Sequence, residues 1–345
     1  MTIEINYEQA SNFLKKNDYD KFTIKKIAGD ASFRSYYRIT FDNQSLILMF
    51  APPSHEDIKP FIKVDKFLRD NEFLAPEILA IDEQHGFLLL QDFGDVSYAK
   101  FLQKNPENEI KIYKMAVDEL LKLHQINFKG YHNLVPQYNN FVLYREVQLF
   151  IDWYLKLYDK KITLDLKKKF KSLWFEQFDQ LNDQNYFVLR DYHADNLMLV
   201  EEKKTRLLHK DIDDKSKNEL ATNLTSSLKV GLLDFQDALI GSRAYDLASL
   251  LEDARRDVSK KTVNEILDYY LQKSSHNQES LLTDYEILSL QRNIKILGIF
   301  ARLALRDNKK QYLELLPRVL DHVKNRLNSK THNFCELKDL FFKIF

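Results

Sequence analysis

The stretch Leu189-Arg190-Asp191-Tyr192-His193-Ala194-Asp195-Asn196 follows the apolar run Tyr186 to Leu189 and sets a carboxylate, Asp191, five residues ahead of a carboxamide, Asn196. By itself such a loop is a polar turn that solvates a strand end. A second stretch, Gly231-Leu232-Leu233-Asp234-Phe235-Gln236-Asp237, again puts an acid directly after a short apolar run. Alone, Asp234 is an ordinary helix cap or strand-end group. The two acid-bearing loops in this order are far more specific than either one.

Arg-Asp, four residues, then Asn after an apolar strand is the layout of a kinase catalytic loop. Phosphoryl transfer needs a carboxylate beside the attacking hydroxyl, to orient it and accept its proton, which is the role expected of Asp191. It also needs oxygen ligands for Mg²⁺, expected of Asn196 and of Asp234, which stands where kinases carry the Asp of D-F-G. Here Gln236 replaces the Gly. A third signal is Gly29-Asp30-Ala31-Ser32-Phe33-Arg34-Ser35-Tyr36-Tyr37-Arg38, between two strand-like runs where a kinase covers the phosphates. It has a single glycine. The Ser32 hydroxyl, backbone N–H groups, Arg34 and Arg38 are its candidate phosphate contacts, against a plain turn carrying two surface arginines.

Working outward, residues 21–27, 33–41 and 45–50 are β-branched and aromatic runs that predict antiparallel hairpins. Residues 57–70 show helical spacing with Pro60 in the first turn, and 77–81 and 86–91 predict two more strands. The order is β-β-β-α-β-β, closed by the polar segment 91–95. Helices follow at about 97–104, 108–127, 139–158 and 163–182, with strands at 186–189, 197–200 and 230–233 and helix from about 245 to 345. The stripes Leu120, Leu121, Leu123, Ile126 and Trp153, Tyr154, Leu157, Tyr158 read as core, as does His124. Residues 201–229 are charged and polar with balanced signs, and read as a solvated hairpin insertion. The expected fold class is α+β and bilobal: a small antiparallel-sheet lobe (1–90), a hinge (91–95) and a large, mainly helical lobe (96–345).

Composition narrows the function. The 345 residues carry 51 Lys+Arg and 51 Asp+Glu, so the net charge is zero and a globally basic nucleic-acid binder is disfavoured. One cysteine excludes an intrachain disulfide and a cysteine-based zinc cage. No apolar run reaches the roughly 18 residues of a membrane helix, and Glu4 and Glu8 argue against a secretory leader. A cytoplasmic setting is expected, and a monomer, since no coiled-coil seam is evident.

With these motifs in order, the chain resembles the aminoglycoside phosphotransferase-like kinases. More narrowly, it resembles bacterial anomeric sugar kinases that phosphorylate N-acetylmuramate and N-acetylglucosamine in cell-wall recycling. The segments that carry the resemblance are Asp30 to Arg38, Ala51-Pro52-Pro53, Gly86 to Asp92, Leu233 to Asp246 and Gly298 to Asp307. It implies ATP and Mg²⁺ as cofactors, an amino sugar as the small-molecule partner and adenine received by the backbone near Gln91 and Phe93. It also implies that Asp246 braces the catalytic loop. Arg145, Glu146 and Arg302 match the sugar-kinase branch as substrate-side residues, with a buried ion pair the competing reading of Glu146. Asp195 and Asp237 are further acids suited to substrate contacts. His193 reads as a loop-shaping hydrogen-bonding group before a proton shuttle.

The chain also departs from the kinase pattern. Ordinary kinases grip the phosphates with a lysine on the third strand, whereas here the run ends Leu48-Met49-Phe50-Ala51-Pro52-Pro53. Arg34, Arg38 or backbone donors are expected to take over. Leu189 stands where the antibiotic-kinase branch has a histidine, and the insertion is longer than the resemblance implies. The competing functions are a kinase with a cationic acceptor of aminoglycoside or choline type, and a nucleotide-binding pseudokinase. The mixed charges of Glu252, Asp253, Arg255, Arg256 and Asp257 disfavour the first, and the intact base and metal ligands disfavour the second.

Overall fold

The computed structural model of the chain describes residues 4–28, 33–42, 44–126, 128, 131, 133–182, 184–201, 228–274 and 277–345. Contacts divide the chain into two units, 1–106 with 194–237, and 107–193 with 238–345. Residues 91–106 and 194–237, assigned to the hinge and the second lobe in the linear division expected above, group by contacts with the first unit.

In the first unit five strands, β1 (Thr23–Ala28), β2 (Ser35–Phe41), β3 (Gln44–Phe50), β4 (Ile78–Asp82) and β5 (Phe87–Gln91), form an antiparallel sheet ordered β1-β2-β3-β5-β4. Alternation along β2 sends Ser35, Tyr37 and Ile39 inward and Tyr36 and Arg38 to the other face. Phe87 to Leu90 are all buried, so the sheet centre is covered on both faces. On one face Tyr37, Ile39, Leu48, Phe50 and Phe87 pack with Ala10, Phe13 and Leu14 of a helix, Tyr7–Lys16, capped by the Asn6 side chain. The sequence reading did not anticipate this helix. The helix Lys59–Asp70 follows β3, with Pro60 in its first turn as expected. Gly86 has φ +73°, and a Cβ there would meet the Ala51 carbonyl oxygen at 1.9 Å. Only glycine lets these two backbones close, and the Ala51 N–H donates to the Gly86 carbonyl at 2.8 Å.

A hairpin of β7 (Leu197–Glu201) and β8 (Leu228–Leu232) completes the first unit. Glu201 pairs with Leu228, so the insertion leaves and rejoins the fold at one strand pair. Residues 202–227 lie outside the described residues, and the solvated reading of them with it.

Among the described residues, the regular structure of the second unit is helical apart from a short pair, β6 (Tyr186–Val188) with β9 (Leu239–Gly241). The strand β9 was not anticipated. Its central helix is Gln278–Arg306, which packs against Asn140–Leu149, Ala244–Leu251 and Leu316–Leu327. A Cβ on Gly298 would lie 2.3 Å from the Leu149 carbonyl carbon, so the two helices touch backbone to backbone there. The expected helix 139–158 widens into a π-helical turn at Phe150–Tyr154, directly after this contact. Within its stripe Tyr154 is buried, whereas Tyr158 is exposed rather than core. His124 is buried as expected and lies 2.8 Å from the Tyr270 hydroxyl. Among the described residues no helix is long and apolar enough to cross a membrane.

Candidate active site

In the second unit the catalytic-loop motif leaves β6 under strict control. The Asp246 carboxylate, fully buried, accepts the backbone N–H of Leu189 at 2.7 Å and of Arg190 at 2.8 Å. Arg190 adopts φ +70°, a left-handed conformation that a non-glycine residue holds only when its surroundings over-determine it. Tyr192 donates to the Ala116 carbonyl at 2.8 Å, which anchors the far side of the turn. Asp191, between these ties, is half-buried. Burial alone would push its carboxyl up; the Lys295 ammonium, then His193, Arg190 and Arg292, outweigh it and hold the group below the usual carboxylate range. Burial, followed by Arg255, lowers His193 despite the pull of Asp253 and Asp191. Arg255 Nη1 lies 3.5 Å from His193 Nε2, an orientation in which the ring accepts.

Glu146 is the hub beside this loop. It is buried, pairs with Arg190, and lies 3.1 Å from Lys295 Nζ. It also accepts from the Tyr138 hydroxyl and, at 2.9 Å, from Gln291 Nε2. Burial opposes its charge, but Lys295 and Arg190 hold its carboxyl below the ordinary range. Arg145, its chain neighbour, is exposed on a cavity of about 400 Å³ that Glu146 and Arg190 also line. Arg302 is not part of this hub; burial and Arg306 lower its pKa two turns further along the helix from Lys295. Sequence reading missed Lys295, Arg292, Gln291 and Tyr138. The available signal was Gln291-Arg292-Asn293-Ile294-Lys295, a polar run inside an otherwise aliphatic helix.

In the first unit a second constellation forms. Asn196 Nδ2 is 3.5 Å from Asp234 Oδ2, and Leu233 N–H donates to the Asn196 carbonyl at 3.0 Å. Asp234 has φ +59°, left-handed like Arg190. The following Phe235 is buried and packs on Phe61 with ring centroids 4.9 Å apart. Gln236, in place of the glycine, donates to Asp234 at 3.0 Å and to Asp237 at 3.2 Å. Arg34 reaches the same acids, 3.7 Å from Asp234 and 3.9 Å from Asp237. Asp195 is exposed, and Ser32 lies outside the described residues.

The two arginines expected to share phosphate duty have different surroundings. Arg38 forks onto Asp92 at 2.6 and 3.1 Å and reaches Asp95 at 3.0 Å. Asp92 also accepts from Ser45 at 2.8 Å and from the Gly94 N–H at 2.8 Å. Arg38 thus ties β2 to segment 91–95, leaving Arg34 beside the acids. In that segment the Gln91 N–H donates to the Glu77 carbonyl at 2.8 Å, and the Phe93 side chain is buried against Met198, Val200 and Leu74.

The donor set near Asp234 fits Mg²⁺. No group of three or more His, Cys, Asp or Glu among the described residues could hold a metal by itself. Mg²⁺ asks for less, because it keeps near-octahedral oxygen ligation with one or two protein ligands and takes the remainder from phosphates and water. The Asp234 carboxylate and the Asn196 carboxamide, 3.5 Å apart, offer oxygens for one or two such ligands, with the amide turned and the Gln236 and Arg34 contacts yielding to the ion.

An N-acetylmuramate/N-acetylglucosamine kinase of Pseudomonas aeruginosa is 32% identical over 325 residues, covering 91% of this chain and 86% of that protein. The enzyme of the same name from Neisseria meningitidis is 30% identical, covering 93% and 89%. Among solved structures, the ADP-bound aminoglycoside phosphotransferase APH(2'')-Ib superposes with a TM-score of 0.59 at 14% identity, over 93% of this chain and 99% of that one. A Plasmodium vivax ethanolamine kinase gives 0.62 at 12% identity, over 94% and 95%. At these identities the structures establish the protein-kinase-like fold. A model described as the phosphotransferase enzyme family matches residues 23–208 and 220–282, and the chain belongs to that family.

Proposed function

We propose that this chain transfers the γ-phosphoryl group of ATP to the anomeric hydroxyl of an N-acetyl amino sugar, N-acetylmuramate, N-acetylglucosamine or both. The observation that carries the reading is the loop held by Asp246, which presents an ionised Asp191 on a backbone strained into position, in a chain whose relatives are named for these two sugars. In this reading Asp191 orients the sugar hydroxyl and takes its proton as the O–P bond forms. Its depressed pKa makes it a weak base, so orientation and charge supply most of the rate. Asn196 and Asp234 would hold Mg²⁺, which when bound neutralises the phosphates. Arg34 takes the phosphate-side role of the absent strand lysine, with Ser32 and the backbone of its turn, while Gln91 and Phe93 offer backbone to adenine. Arg38 keeps that segment in place. Asp195, Asp237, Arg145, Glu146 and Arg302 remain the substrate-side candidates, Glu146 through its hold on Arg190. A cytoplasmic monomer is the accompanying expectation.

The test is coupled ADP release with ATP and Mg²⁺ on N-acetylmuramate, N-acetylglucosamine, a kanamycin-type aminoglycoside and choline, with Asp191→Asn alongside. Turnover on an N-acetyl sugar, lost in Asp191→Asn, is expected, and phosphorus NMR of the product then identifies the position. Turnover confined to a cationic acceptor, or none on any acceptor while ATP binds, overturns the reading.

A further inference from the structure

We infer that Arg145 and the cavity it borders form the subsite that recognises a carboxylate on the acceptor, and so set the preference for N-acetylmuramate over N-acetylglucosamine. The inference rests on the sugar-kinase reading above and adds a residue-level source of specificity to it. Val142, Arg145, Glu146 and Leu149 follow one another at helical i, i+3, i+4 and i+7 spacing, so one helix face supplies most of the wall. Pro136, Leu239 and Arg190 complete the lining of this open depression of about 400 Å³, a volume in the range of small-ligand sites. Arg190 directly precedes Asp191 in the chain, which puts the cavity beside the loop assigned to the acceptor hydroxyl.

The charges on this wall are unequal. Glu146 is its one acid, and it is already answered by Arg190 and by Lys295. It has no charge left to attract a cationic acceptor. Arg145 differs from its neighbours: among the described residues it has no ion-pair or hydrogen-bond partner, and its side chain stands exposed at the cavity. The wall therefore offers one uncommitted guanidinium beside three aliphatic side chains. A carboxylate on a short branched apolar arm matches that combination, and a guanidinium fork takes both carboxylate oxygens at once. The lactyl ether of N-acetylmuramate is such an arm. N-acetylglucosamine has a hydroxyl in its place.

The experiment measures kcat/KM for both sugars with the full-length wild-type chain and with Arg145→Gln and Arg145→Lys. Arg145→Gln keeps the stem and removes the charge. The quantity read is the ratio of the N-acetylmuramate constant to the N-acetylglucosamine constant, which cancels any general loss of folded or active enzyme. A charge-assisted hydrogen bond predicts a fall in that ratio of about 10- to 100-fold for Arg145→Gln. Partial recovery is expected in Arg145→Lys, since lysine keeps the charge but not the fork. A ratio within threefold of wild type in Arg145→Gln overturns the inference, whether both constants fall together or neither moves, and leaves the sugar-kinase reading standing. A wild-type chain that turns over neither sugar overturns both.

Discussion

Asp246→Asn should uncouple the catalytic loop from its support. In the native chain both carboxylate oxygens are used, one on Leu189 N–H at 2.7 Å and one on Arg190 N–H at 2.8 Å, and the side chain has no exposed surface. Asparagine keeps the shape but turns one oxygen into an NH₂ group, which faces a backbone N–H at contact distance. One buried donor then loses its acceptor, at about 1–3 kcal/mol, and the donor-to-donor contact favours the upper end. At roughly 2–4 °C per kcal/mol for a unit of this size, the melting temperature should fall by about 6–12 °C. The second consequence is kinetic. Arg190 holds a left-handed backbone worth about 1–3 kcal/mol of strain, and losing one tie lets that strain relax and turns Asp191 away. A displacement near 1 Å at a reacting group can cost about 100-fold in rate. The expected pattern is a large fall in kcat with the Michaelis constant for ATP nearly unchanged, since the residues proposed for the phosphate side belong to the other unit. A variant that melts within 2 °C of wild type and keeps its kcat would refute the reasoning. One that melts early but keeps full kcat would refute the positioning role alone.

Asp65, buried on the helix Lys59–Asp70 with Oδ1 unpartnered, is pushed up to about 7 by burial, against the pull of Arg69. Its folded pKa lies above its unfolded one, so its contribution is fully present below about pH 4 and is lost as pH rises to about 7, by up to about 4 kcal/mol. Asp65→Asn should therefore melt above wild type at pH 8, with the difference vanishing near pH 4; a pH-independent difference would contradict this. Gly298→Ala drives a methyl into the Leu149 backbone and should destabilise by about 1–3 kcal/mol, seen as a lower denaturant midpoint; unchanged stability would mean that the helices are free to separate. Arg38→Lys loses the fork onto Asp92 and should lower stability more than it raises the Michaelis constant for ATP, whereas a pure rise in that constant would return Arg38 to the phosphates.

Much of the fold was legible because short-range patterns carry it. The β-branched and aromatic runs at 33–41, 45–50 and 86–91 and the helical spacing at 57–70 are local patterns, and strands and a helix form over them. The helix Tyr7–Lys16 escaped because it is short and polar and derives its stability from laying Phe13 and Leu14 on the sheet. The strand β9 escaped because three residues carry too little pattern to separate from a loop. The π-helical turn at Phe150–Tyr154 was illegible for another reason: its residues keep helical spacing, and no local residue type marks the change of winding.

The sequence by itself determined the chemistry of the site: the order of Asp191, Asn196 and Asp234, the acid at 246 and the absence of a lysine on the third strand. These follow from residue identity and spacing, which a single chain displays in full. Only the tertiary structure decided how the cations are shared. It gave Arg38 to Asp92 and Arg34 to the acids near Asp234, brought Lys295 to Glu146 and left Arg145 uncommitted. Charge partners are chosen by distance across the fold, between residues as far apart in the chain as Glu146 and Lys295, and no local pattern encodes that choice.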